Sequence, residues 1–244
     1  KIVTTKSGYT SGDLIYHGNM SKWKKFANSI KLRLAMNLAD KDPATAKAAA
    51  EAAIASGVFT SDADSYSFKF DTGTFPNPVY DDVVGSGRND FLPSDILVDQ
   101  LNANSDPRRS TWFTTAEDED GNQAYIGGVF GDVNAYEGNS HLTEFFTAKN
   151  GAAKLLSYTE ILFLRAEAAA RGYSAGGTAA GLYAEAVKQS MTENKVSSAD
   201  ADTYLAAHPY DAGNWKHSIG YEAWVSMFNN GFAAWNFSRR LDYP

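Results

Sequence analysis

The sequence contains no cysteine. Disulfide bridges, thiolate metal ligands and a cysteine nucleophile are excluded together. Long apolar runs are missing as well. No stretch reaches the ~18 residues that a membrane-crossing helix needs, and the opening KIVTTKSGYTSG is polar, unlike the apolar core of a signal peptide. Basic residues are in deficit, 22 against 29 acidic for a net charge of −7, which argues against a nucleic-acid-binding face. Four histidines, at 17, 141, 208 and 217, have no HExxH or comparable spacing, so neither metal nor cofactor is expected. GxSxG, the P-loop and the dinucleotide fingerprint are lacking, and the runs GSG and IGGVFG match none of them. The chain starts without Met and stops at Pro244 directly after a predicted helix, which reads as a processed or partial chain.

What is present is helical and alanine-rich. Residues 154–191 predict a helical hairpin. Leu155, Leu156, Tyr158, Ile161–Leu164, Ala166 and Ala168–Ala170 leave its first helix apolar on more than one face, as for a helix buried between neighbours. Ser174–Gly177 is loop chemistry, and Ala179, Leu182, Tyr183, Ala186 and Val187 restart the pattern at i, i+3, i+4, i+7, i+8. Leu162, Ala166 and Ala169, then Ala179-x3-Tyr183 and Ala186, fit the two helices of a tetratricopeptide (TPR) unit. A second hairpin precedes it. Asn19 to Ser21 supplies an N-cap, and Trp23, Phe26, Ala27, Ile30, Leu34 and Leu38 form one predicted core stripe. Asp42-Pro43 opens an alanine-rich helix that Gly57 ends.

Residues 58–150, between the hairpins, are of another kind. Tyr66, Phe68 and Phe70 alternate as in a short strand, and Ser94 caps a helix through Leu101. TWFTT and QAYIGG predict two strands turned at Asp120-Gly121. Residues 127–150 are rich in Gly and Asn. Further on, Ser197-Ser198 caps a short helix, and Trp215–Trp235 predicts one last helix with Trp224 and Trp235 on its core stripe; Trp23 is placed in the core likewise. The predicted fold class is mainly α. TPR-like hairpins at about 20–57 and 154–194 form a scaffold, with an irregular, short-hairpin-bearing insertion at about 58–150 and final helices over 198–237. All of it is read as one domain, 1–244.

Five phrases in order resemble the SusD/RagB family of outer-membrane nutrient-binding lipoproteins. They are DLIYHGNMSKWKKFANSIKLRLAMNLAD, SDILVDQLNANSDPR, LLSYTEILFLRAEAAARG, YAEAVKQSM and the tail through AWVSMFNNGFAAWNFSRRLDYP. The match corresponds to the C-terminal portion of that family's usual length. The resemblance implies a SusD-like helical fold without catalytic activity, and an oligosaccharide (in some members a peptide) as ligand. It also implies a SusC-like TonB-dependent transporter as partner, and a surface-exposed, lipid-anchored position at the cell outer membrane, the anchor lying outside this chain.

Sugar capture needs flat apolar platforms ringed by amide, carboxylate and guanidinium groups. Trp112, Tyr125 and Tyr136 are the candidate platforms, with Arg88, Asn89, Arg109, Asn134 and Asn139 as polar partners in loop-like contexts. One covered ring face contributes about 2 kcal/mol before binding costs, against about 8 kcal/mol for micromolar affinity; several platforms are needed. The Glu117–Asp120 run fits a solvated hairpin tip. It lacks the alternating ligands of a calcium loop, and adjacent carboxylates do not face each other across a cleft as glycoside hydrolysis requires. A peptide-binding relative and a TPR-type scaffold that binds only proteins are the alternative readings.

Overall fold

The computed structural model describes residues 2–243; Lys1 and Pro244, the outer ends of the predicted lead-in and tail, lie outside them. Among the described residues eleven α-helices run in chain order: α1 (Met20–Asn37), α2 (Pro43–Ala55), α3 (Pro78–Tyr80), α4 (Asp95–Ala103), α5 (Arg109–Trp112), α6 (Glu144–Thr147), α7 (Tyr158–Ala170), α8 (Ala179–Glu193), α9 (Ser198–Ala207), α10 (Trp215–Ser226) and α11 (Gly231–Leu241). Strands β1 (Tyr66–Lys69) and β4 (Ala152–Leu156) pair with each other. β2 (Ala116–Glu117) and β3 (Gln123–Ala124) form a separate antiparallel pair. The mainly helical, hairpin-built class expected from the sequence is the one observed. The contacts gather into two units, one of residues 1–68, 154–190 and 208–244, the other of residues 69–153 and 191–207.

In the first unit α7 is the central element. Ser157 caps it by accepting from the Glu160 N–H at 3.0 Å. Helix formation therefore starts at Tyr158, and Lys154–Leu156, expected as its first turn, belong to β4. Residues Tyr158–Leu164 and Ala166–Ala168 are all buried, as the apolarity on several faces requires. Two carboxylates go inside with them. Glu160 takes Nε and Nη2 of Arg33 from α1, each at 2.7 Å. Burial pushes its carboxyl above the ordinary range, and Arg33 opposes that shift. Glu167, with no exposed surface, meets Arg171 Nε at 3.0 Å and Arg240 of α11 at 2.8–3.0 Å. Arg171 continues to Asp40 (2.6 Å) and Arg240 to Asn37 (3.0 Å). Charge-assisted contacts thus link α7 to α1 and α11.

Three sequence expectations are corrected here. The buried face of α1 is Asn28, Ser29, Leu32, Ala35 and Met36, not the Trp23–Leu38 stripe; Leu34 is 58% exposed and Leu38 43%. The polar pair turns inward because it satisfies main-chain groups at the end of the neighbouring helix. Asn28 Nδ2 donates to Ser56 O and Gly57 O (both 2.9 Å), and Ser29 Oγ accepts from the Phe59 N–H (3.0 Å). Trp23 is half-buried, edge-on to Tyr16 and Phe26. The last helix is two. Asn230 caps α11 through Ala233 N–H and donates to Lys154 O, which turns Trp235 outward at 61% exposure beneath Arg239. Thr111 and Trp112 of TWFTT lie on α5; the β-hairpin is confined to β2 and β3, and Gly121 at its tip has φ +83°.

Replacing Glu167 by Ala leaves two guanidinium groups buried without their shared anion. The expected loss is about 3–5 kcal/mol of unfolding free energy, read by urea denaturation, with Glu167→Gln less affected. An unchanged midpoint in both variants contradicts the role assigned to this carboxylate.

Candidate functional site

The second unit carries the sequence-predicted residues, and the DPR turn inside it explains why one of them fails as a platform. Asp106 and Arg108 are fully buried and paired at 2.6 Å. The Arg108 guanidinium lies over the rings of Trp112 (5.9 Å) and Tyr204 (5.7 Å). Trp112 is 1% exposed, and its indole N–H donates to Asn194 Oδ1 at 2.6 Å. Phe113 and Phe146 lie against its ring. An indole enclosed on this scale is a core member, and it offers no ring face to a sugar.

Tyr125 and Tyr136 are placed differently. Both are partly exposed, and each has a polar group behind one ring face. The Arg109 guanidinium stands 5.3 Å from the Tyr125 ring centre. Arg109 is itself held by Asn102 Oδ1 (3.1 Å), while Asn102 Nδ2 donates to Tyr125 O (2.9 Å). Behind Tyr136 lies His141, near-parallel at 15° with ring centres 3.9 Å apart. The two tyrosines belong to segments that are tied together. Ile126 N–H donates to Ser140 Oγ and Ser140 N–H to Ile126 O, so Tyr125 and His141 each adjoin one end of this contact. Thr114 N–H donates to His141 O, and Phe113 and Leu142 form an antiparallel bridge. Arg109, Tyr125 and Tyr136 are therefore brought to one region.

The remaining candidates are engaged with their own neighbours or exposed. Arg88 and Asn89 are exposed; Arg88 is ion-paired with Asp90, which raises the guanidinium and lowers the carboxyl, and it lies over Phe91. Asn134 spends its amide on its own loop, accepting from Val129 N–H (2.7 Å) and donating to Val129 O and Asp132 O. Asn139 likewise donates to Ala135 O (2.7 Å). Asn102 and His141 were not expected at the site. The first sits on α4, just past the predicted helix end at Leu101, and the second enters the sequence reading only among four histidines without metal-ligand spacing. Among the described residues no group of three His, Asp or Glu is placed to hold a metal ion, and no helix is long and apolar enough to cross a membrane.

The hairpin-built fold described above is shared with solved structures. The model of the SusD-like family described as "Starch-binding associating with outer membrane" matches residues 1–244, and the chain belongs to that family. A chitin-binding protein superposes with a TM-score of 0.85 at 31% identity, covering 96% of this chain and 55% of its own. A SusD homologue from Bacteroides uniformis gives 0.85 at 26%, covering 99% and 56%. A chitin-binding SusD homologue from Flavobacterium johnsoniae gives 0.82 at 28%, covering 98% and 55%. The chain thus spans a little over half the length of these relatives. No curated protein matches it.

Trp112→Phe removes a buried indole donor from Asn194. It is expected to lower stability by about 1–3 kcal/mol, measured by chemical denaturation, while the Tyr125 and Tyr136 resonances keep their positions. A stable variant with shifted tyrosine resonances contradicts the core assignment.

Proposed function

We propose that the protein binds oligosaccharide without chemically altering it, and that Tyr125 and Tyr136 are the sugar platforms with Arg109 as polar neighbour. The observation that carries this reading is the pair of backed tyrosines on segments tied at Ile126 and Ser140. A ring with one face already covered keeps its orientation when a sugar arrives, so less ordering entropy opposes binding. Membership of a family described as starch-binding, and the chitin-binding names of two similar structures, support a neutral glycan as ligand, with β-linked N-acetylglucosamine oligomers the first to test. On the same reading the whole protein sits lipid-anchored at the outer face of the outer membrane and passes its glycan to a SusC-like TonB-dependent transporter. Arg88 and Asn89 on their exposed segment serve as outer contacts at most. Trp112 is not retained as a platform.

Magnitudes bound the affinity. Two ring faces at about 2 kcal/mol each reach only the millimolar range, so hydroxyl contacts must supply what lies beyond it. Calorimetric titration with N-acetylglucosamine, glucose and mannose oligomers tests this. One series is expected to bind, with Tyr125→Ala and Tyr136→Ala each weakening it by ~10–30-fold. No binding to any series overturns the glycan reading in favour of a peptide ligand. Binding that both variants leave unchanged overturns the platform assignment.

A further inference from the structure

Tyr136 lies in a stretch, residues 127–141, that has no regular secondary structure. A ring on such a segment ordinarily samples several rotamers, and a binding partner must select one of them. What distinguishes Tyr136 is that a single neighbour holds it twice. The His141 imidazole covers one face of its ring at 3.9 Å, and His141 Nε2 stands 3.0 Å from its main-chain oxygen. A carbonyl oxygen can only accept, so this contact is a hydrogen bond only when Nε2 carries the proton. The geometry therefore selects the Nε2–H form of His141.

His141 is itself rooted. Its N–H donates to Thr114 Oγ1 at 3.0 Å and its carbonyl accepts from Thr114 N–H at 2.9 Å. The next residue, Leu142, bridges Phe113, which is 2% exposed. The chain from Phe113 to His141 to Tyr136 thus carries the rigidity of the buried cluster out to a half-exposed ring. Within the loop, Asn139 closes the intervening turn on Ala135 O and Gly138 takes φ +88°, a conformation a residue with a side chain rarely adopts.

We propose that His141 is the positioning residue of the Tyr136 platform, locking ring and backbone together through stacking and an Nε2–H donor. Its consequence for affinity rests on the glycan reading of Tyr136; the lock itself does not. Both functions need the imidazole. Phenylalanine keeps the stack and loses the donor, asparagine keeps a donor and loses the stack, and alanine loses both.

The test begins on the free protein. Nitrogen-15 shifts of His141 are expected to report a protonated Nε2. The Tyr136 ring resonances are expected to move toward the positions of a mobile tyrosine in His141→Ala, and less so in His141→Phe, with all variants folded by circular dichroism. Glycan affinity is then compared. His141→Ala is expected to weaken binding to within about threefold of Tyr136→Ala, and the double variant to add little, since coupled residues are non-additive. An Nδ1–H form of His141, or Tyr136 resonances unmoved by His141→Ala, overturns the lock. A ring that moves while affinity stays constant overturns the positioning role. If the wild type binds no glycan, the functional reading fails separately, and the free-protein spectra alone decide for or against the lock.

Discussion

The structure of the first unit depends on two negative charges carried inside one helix. Glu160 and Glu167 are seven residues apart, two turns of α7, so they stack along the same face. Each is met by an arginine distant in sequence, Arg33 from α1 and Arg240 from α11. Burying a carboxylate is costly unless a cation and good geometry accompany it. Separating either pair would leave a buried charge without its partner. The net gain in free energy from such pairs is modest. They penalise arrangements of α1, α7 and α11 that pull Arg33 from Glu160 or Arg240 from Glu167.

Much of this frame was legible in the sequence because helix chemistry is local. Asn19 and Asp42, and in the second unit Ser94, cap helices as their residue types and neighbours indicate; the cap at Ser157 is hidden in the sequence by apolar Leu155 and Leu156 just before it, which belong to β4. The all-round apolarity of α7 foretold burial on all sides. What was not legible is where polar groups turn inward. Asn28 and Ser29 lie outside the predicted core stripe, and only the position of the Ser56 and Gly57 carbonyls just past α2 and of the Phe59 N–H gives them a reason to be inside. That misplaced the whole face of α1. Asn229-Asn230-Gly231 carries stop chemistry, yet the run of tryptophans at helical spacing masked it and Trp235 was assigned to the core.

At the candidate site the divide is sharper. Composition singled out a segment in which Tyr125, Tyr136 and Arg109 come to one region. It could not separate Trp112 from them. The burial of that ring is decided by Asn194 and Tyr204, which reach the second unit on a separate excursion of the chain more than eighty residues later. The same holds for Arg108, which the fold encloses completely. A loop aromatic is a platform only when something other than a ligand holds one face and nothing covers the second. Backing by Arg109 and His141 meets the first half of that condition, through pairings that no periodicity encodes.

Of thirteen tyrosines, Tyr125 and Tyr136 are the two proposed to lie under a bound glycan. Carbon-13 spectra of tyrosine-labelled protein during titration with a bound oligosaccharide read all of them at once. The account predicts that the resonances of these two move together with one binding constant and the buried tyrosines stay still. Movement confined to other tyrosines, with Tyr125 and Tyr136 unaffected at saturation, would contradict it.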